Sequence, residues 1–196
     1  MRDAELLSAA APHRARCATR PRNDAQPADT LLIGLGNLIL GDEGVGVHAM
    51  RRMEAEYAFE PALKLELVDG GTSGLDLLPL LHGRQRLLLI DALAADAPAG
   101  SIRVLRDAEI RSALTEKVSL HHLGIADLLA LAELLGDAPP ETVLIGVVPE
   151  RMDMALGLSA RLRGRLPEVI DTARAVLGDW GIDSRPVAPS AAPAAA

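Results

Sequence analysis

Four features are scarce in this sequence: cysteine, aromatic side chains, net positive charge and long apolar runs. The single cysteine, Cys17, excludes an intramolecular disulfide and fits a reducing compartment. A net charge of −7 leaves no basic face for a nucleic acid, and aromatics at 2% leave a core of aliphatic residues. Dense apolar runs such as Leu87 to Ile90 have the length of a strand, not of a membrane span. We therefore expect a soluble, cytoplasmic monomer that binds neither nucleic acid nor membranes.

Residues 31–48 form the stretch around which we expect the chain to be organised. An apolar strand is followed by a glycine-rich loop and by a helix that begins near Val45. A dinucleotide fingerprint would need glycine at position 39, where Ile39 stands, and no G-K-[ST] follows, so a nucleotide-dependent enzyme is disfavoured. The loop instead carries Asn37, Asp42 and Glu43, at the place where open α/β sheets bind ligands. The alternative for Asp42 or Glu43 is that it merely caps the helix.

The chain alternates strand and helix patterns throughout its central part. This predicts a three-layer α/β/α fold with a mostly parallel sheet of about five strands. Ser159 is expected to cap a short helix, and Pro167 to open a separate final helix that runs to about Leu177. The predicted strands are Leu31 to Ile33, Leu63 to Val68, Leu87 to Ile90, Ser101 to Leu105 and Thr142 to Val148.

The ends of the chain lack such periodicity. We expect residues 1–29 to be a disordered extension, residues 30–180 to be a single domain, and residues 181–196 to be a disordered tail rich in proline and alanine. A start codon assigned too far upstream is an alternative explanation for the first segment.

Three side chains stand out as candidate ligands: Glu43 in the first loop, Asp69 at the end of the second strand, and His121 at the start of a helix that Ser119 would cap. Two carboxylates and one imidazole with a vacant position would make an open metal site. From spacing alone this signal is weak, because a lone histidine beside a cap is more often a polar surface group. His121 and His122 cannot both serve, since neighbours on a helix point about 100° apart.

Four motifs in order resemble the endopeptidases that mature nickel–iron hydrogenases. The motifs are Gly34-Leu35-Gly36-Asn37 with Asp42-Glu43-Gly44-Val45-Gly46-Val47, then Asp69-Gly70-Gly71-Thr72-Ser73-Gly74, then Asp91-Ala92 with Pro98-Ala99-Gly100, and finally Ser119-Leu120-His121. One departure is His122, which stands where glutamate or glutamine would complete a capping box. A serine hydrolase is disfavoured, because a nucleophile elbow around Ser73 would need glycine where Leu75 stands.

The resemblance implies an aspartic-type or metal-assisted endopeptidase that removes a C-terminal extension from the precursor of a hydrogenase large subunit. It implies that Glu43, Asp69 and His121 are both the catalytic residues and the ligands of nickel, which the substrate carries; zinc or cadmium would substitute in vitro. The rival hypothesis is a nickel chaperone or docking factor for hydrogenase assembly, which would use the same ligands without cleaving the precursor.

Overall fold

Alternate residues of the central strands pack against opposite layers of helices. The computed structural model describes residues 28–116 and 120–187, and for residue 63 and residues 115, 116 and 120–123 it describes the backbone alone. In strand β1 (Thr30–Leu35), Leu31 and Ile33 contact one apolar core and Leu32 contacts the other. This period of two buries both faces of the strand, as a sheet between two helical layers requires.

Five strands form the main sheet, in the order β3-β1-β4-β6-β5, and all are parallel except the edge strand β5. The fold class predicted from the sequence is therefore confirmed. The other strands of the sheet are β3 (Leu65–Gly71), β4 (Arg86–Ala92), β5 (Ile102–Arg106) and β6 (Glu141–Val147).

The helices divide between the two faces of the sheet. Helices α1 (Val45–Glu56) and α5 (Ala160–Asp179) contribute to one core, and α3 (Ala108–Glu116) and α4 (Leu120–Leu135) contribute to the other. Short 3₁₀ turns cover Gly41–Gly44, Ala62–Lys64 and Gly74–Leu77, and the last of these leads into α2 (Leu78–Leu81). None of the helices in residues 28–116 and 120–187 combines the length and the hydrophobicity of a membrane span.

One continuous helix replaces the two that were expected after Ser159. Ser159 does cap it, accepting a hydrogen bond from the Leu162 amide, but Pro167 lies inside α5 and does not start a new helix. Buried residues on both sides of the proline keep one helical face: Leu162, Leu166, Val169, Ile170, Ala173, Val176 and Leu177. Their burial offsets the hydrogen bond that proline cannot donate.

Main-chain hydrogen bonds extend a few residues beyond each of the expected domain boundaries. At the C-terminal end, Ile182 is buried, and β7 (Asp183–Pro186) pairs antiparallel with a strand that the sequence reading missed, β2 (Tyr57–Glu60). The described structure therefore continues past the boundary expected at residue 180, because this small sheet ties residues 183–187 to β2 and to the last residue of α1. At the N-terminal end, the carbonyl of Asp29 accepts from the amides of Gln85 and Arg86, so the domain already includes residues 28 and 29. The rest of both predicted extensions lies outside the described residues.

Candidate active site

The candidate site lies at the carboxyl ends of β1 and β4. The connection after β1 leads to β3 on one side, and the connection after β4 leads towards β6 on the other, so the strand order reverses between them. Such a switch point is where open α/β sheets form their ligand crevice. Gly36, with φ of +121°, turns the chain away from β1, and a Cβ there would collide with the Glu43 carbonyl oxygen. Glycine at this position therefore lets the loop that carries Glu43 close over the end of the sheet.

Glu43 and Asp91 line the same pocket. The pocket has a volume of about 110 Å³ and lies between the ends of β1 and β4 and helix α4, which contributes Gly124 and Ile125. Both acids are buried, Glu43 on the 3₁₀ turn and Asp91 near the end of β4. The structure thus gathers two carboxyl groups in a small, largely apolar cavity.

The electrostatics of this pair follow from burial. The pKa of the Asp91 carboxyl is raised from its ordinary value of 3.8 to about 7. Burial is the largest cause and raises the pKa, the hydrogen bond from the Ala92 amide lowers it, and the nearby Glu43 carboxylate raises it by the smallest of the three effects. A cation placed between two such carboxyl groups would relieve both costs, so the pair fits a metal ion chemically.

Asp69 lies in a neighbouring pocket instead. Its Oδ2 accepts from Nε and Nη2 of Arg51, at 2.9 and 2.6 Å, and its Oδ1 accepts from the Gly71 amide at 3.1 Å. That pocket, of about 280 Å³, is lined by Asn37, Arg51 and Asp69. The two pockets share a wall of Gly36, Gly71 and Thr72. The sequence prediction grouped Glu43 with Asp69, whereas the structure brings Glu43 together with Asp91.

The side chain of His121 lies outside the described residues, as does Ser119. The backbone of His121 belongs to the first turn of α4, one turn before Gly124 and Ile125 of the pocket. The role predicted for His121 therefore stays a prediction. Among the side chains that the structure describes, no group of three or more histidine, cysteine, aspartate and glutamate residues could hold a metal ion.

Asp42 has a structural role that the sequence did not indicate. It was a candidate cap for α1, but neither it nor Glu43 makes a side-chain capping bond there. The fully buried Asp42 carboxylate instead accepts from the amides of Glu150, Arg151 and Ser159, at 2.9, 3.1 and 2.6 Å. It thereby fixes the segment between β6 and α5 against the turn that carries Glu43.

The prediction from the sequence did not place Asp91 in the same pocket as Glu43. The signal was present, because Asp91 follows an apolar strand and belongs to one of the four motifs. Asp69 and Asp91 both follow predicted strands, however, and their positions in the sequence do not show which of them pairs with an arginine.

Comparisons with known proteins agree with this architecture. The sequence profile of a family described as hydrogenase maturation protease matches residues 47–176. The chain is 32% identical to the hydrogenase 2 maturation protease of Escherichia coli over 157 residues, which is 80% of this chain and 94% of the relative. It is 36% identical to the hydrogenase expression/formation protein HupD of Bradyrhizobium diazoefficiens over 164 residues, covering 82% of this chain and 84% of that one.

Solved structures give the same result. The hydrogenase maturating endopeptidase HybD of Escherichia coli superposes with a TM-score of 0.77 at 31% identity, covering 82% of this chain and 99% of that one. The NiFe hydrogenase maturation protease HybD of Thermococcus kodakarensis superposes with a TM-score of 0.60 at 27% identity, covering 75% of this chain and 97% of that one.

Proposed function

The chain belongs to the hydrogenase maturation protease family, and we propose that it removes the C-terminal extension of a nickel–iron hydrogenase large-subunit precursor after nickel insertion. The observation that carries the proposal is the pocket that Glu43 and Asp91 share at the switch point of the sheet. Two buried carboxyl groups beside a helix whose first turn carries a histidine are a suitable donor set for a divalent metal ion.

Nickel enters this reaction as part of the substrate. The ion already lodged in the precursor would bind Glu43, Asp91 and His121, and this would bring the scissile peptide bond into the crevice only in a correctly loaded precursor. Two routes to hydrolysis fit the arrangement: nickel polarises the peptide carbonyl, or one carboxylate activates a water as a general base. In the first route Glu43 and Asp91 would hold the nickel, and in the second one of them would take a proton from the attacking water.

Asp69 has a different part in this proposal. Its ion pair with Arg51 lies across the glycine wall from Glu43, so the second pocket is placed to hold peptide flanking the scissile bond. The sequence-based assignment, with Asp69 as the second ligand, is the competing version of the same site, and the two versions predict different variants to be inactive.

The test is to incubate the protein with nickel-loaded and nickel-free precursor and to weigh the products by mass spectrometry. We expect the loaded precursor alone to lose its extension. Glu43→Gln, Asp91→Asn and His121→Ala should each abolish cleavage, whereas Asp69→Asn, the matched control for Asp91→Asn, should retain kcat and change KM. Full activity of Asp91→Asn together with loss of activity in Asp69→Asn would restore the sequence-based ligand set. A precursor that is bound but keeps its mass would support the chaperone hypothesis.

A further inference from the structure

Two loops beside the crevice expose large apolar side chains. Met152, Met154 and Leu156 lie on the segment between β6 and α5, and Ile39 lies on the loop that precedes the 3₁₀ turn of Glu43; all four are exposed. Met154 is 83% and Leu156 86% exposed. We call these four residues the apolar patch.

The two segments of the patch are held together by main-chain bonds. The Gly41 amide donates to the Ala155 carbonyl at 2.9 Å, and the Ala155 amide donates to the Ile39 carbonyl at 3.1 Å. The Asp42 carboxylate clamps the same segment through three further amides. The exposure of the patch is therefore built into the fold, and an apolar surface fixed in this way loses little conformational entropy when a partner covers it.

Charged side chains border the patch. Arg151 pairs with Asp153, and Glu150 pairs with Arg161, with all four side chains partly exposed. An apolar centre with a charged rim is typical of a protein interface, and methionine adapts its shape to a partner.

The patch is continuous with the crevice. Ile39 follows Asn37 and Leu38, which line the Asp69 pocket, and precedes Glu43 of the other pocket by four residues. Pockets of about 110 and 280 Å³ accept little more than a few side chains, whereas a specific protein complex buries roughly 800 Å² on each partner. A protease that acts on a folded precursor therefore needs contact area outside its crevice, and the patch is an apolar surface that adjoins the crevice.

We propose that the apolar patch docks the folded body of the large-subunit precursor, through an apolar surface of the precursor that lies beside the tail to be cleaved. This inference rests on the proposed function. It assigns to the patch a share of the binding of the precursor and no share of the chemistry.

The experiment compares a double variant, Met154→Gln with Leu156→Gln, with the matched control Leu134→Gln. Leu134 is 81% exposed, close to the value for Leu156, but lies near the far end of α4 from the pocket. We expect the double variant to raise KM for the nickel-loaded precursor at least about tenfold with kcat unchanged, because burial of two such side chains is lost. Melting temperature should not change in either variant, and the control should keep wild-type kinetics.

Direct binding of the precursor to wild type and variants, measured as Kd, separates the two proposals. An unchanged KM and Kd in the double variant, while wild type cleaves, would overturn the docking proposal and leave the function intact. Wild type that binds the precursor without cleaving it would overturn the function, and a tenfold weaker Kd of the double variant would still support docking. Sedimentation tests whether a second copy of the chain covers the patch instead. If wild type is a dimer, and the double variant is a monomer with an unchanged KM, the patch is a dimer interface and the docking proposal is overturned.

Discussion

Replacing Asp42 with alanine tests the clamp beside the active site. The wild-type carboxylate is fully buried and accepts three main-chain amides. In Asp42→Ala these amides lose their acceptor; the Ser159 donor is buried and the Glu150 and Arg151 donors are partly buried. A buried donor left without a partner costs about 1–3 kcal/mol. If water enters the space and satisfies one of them, we expect a net loss of roughly 3–5 kcal/mol in the free energy of unfolding. This is a large part of the ~5–15 kcal/mol that stabilises a typical domain.

Urea unfolding followed by tryptophan fluorescence measures this loss. The chain has one tryptophan, Trp180, which is buried at the end of α5 and donates to Glu141, so its emission reports on the folded domain. Asp42→Asn keeps the shape and one carbonyl oxygen but turns an amide group towards a donor, and it should give an intermediate loss. Replacement of the exposed Asp96 by alanine is the matched control and should change stability by less than about 0.5 kcal/mol.

Hydrogen exchange locates the effect. The amides of Glu150, Arg151 and Ser159 should be protected in the wild type and exchange much faster in Asp42→Ala. If the variant unfolds within about 0.5 kcal/mol of wild type, or if the three amides keep their protection, the carboxylate does not hold this segment and the reasoning fails.

Three further predictions follow from the structure. Folding raises the pKa of Asp91 from 3.8 to about 7, so ionisation of this carboxyl favours the unfolded state. As pH rises from about 4 to about 7, the free energy of unfolding of wild type should therefore fall by up to roughly 4 kcal/mol relative to Asp91→Asn, and it should level off above about pH 7. Thermal melts of both proteins across this pH range measure the difference, and an equal pH dependence of the two melting temperatures would contradict a raised pKa of Asp91. Truncation after Gly181 removes buried Ile182 and β7 and should lower the melting temperature by about 5 °C or more, whereas truncation after Val187 should not. The purified protein should contain almost no metal by elemental analysis, since nickel arrives with the substrate; one zinc per chain that survives chelator dialysis and is needed for cleavage would make it a resident-metal peptidase.

Much of the fold could be predicted from local patterns. The apolar run of β4 and the helical spacing of Ile125, Leu128 and Ala132 in α4 are properties of short segments, and each segment is long enough to identify its own type. The short strands β2 and β7 were missed because they consist of four residues each and carry no pattern of their own. Pro167 was misread because the burial that keeps it inside α5 depends on the sheet beneath.

The sequence by itself determined the architecture and the family, together with an inventory of acids at the ends of strands. Only the tertiary structure decided which of those acids meet. The order β3-β1-β4 places Asp69 and Asp91 on opposite sides of β1, and α1 supplies Arg51 to Asp69, while the turn after β1 brings Glu43 to Asp91. The physical reason is that whether a segment forms a strand or a helix depends mainly on residues close together in the sequence. Strand order and side-chain partners depend on contacts between residues far apart in the chain.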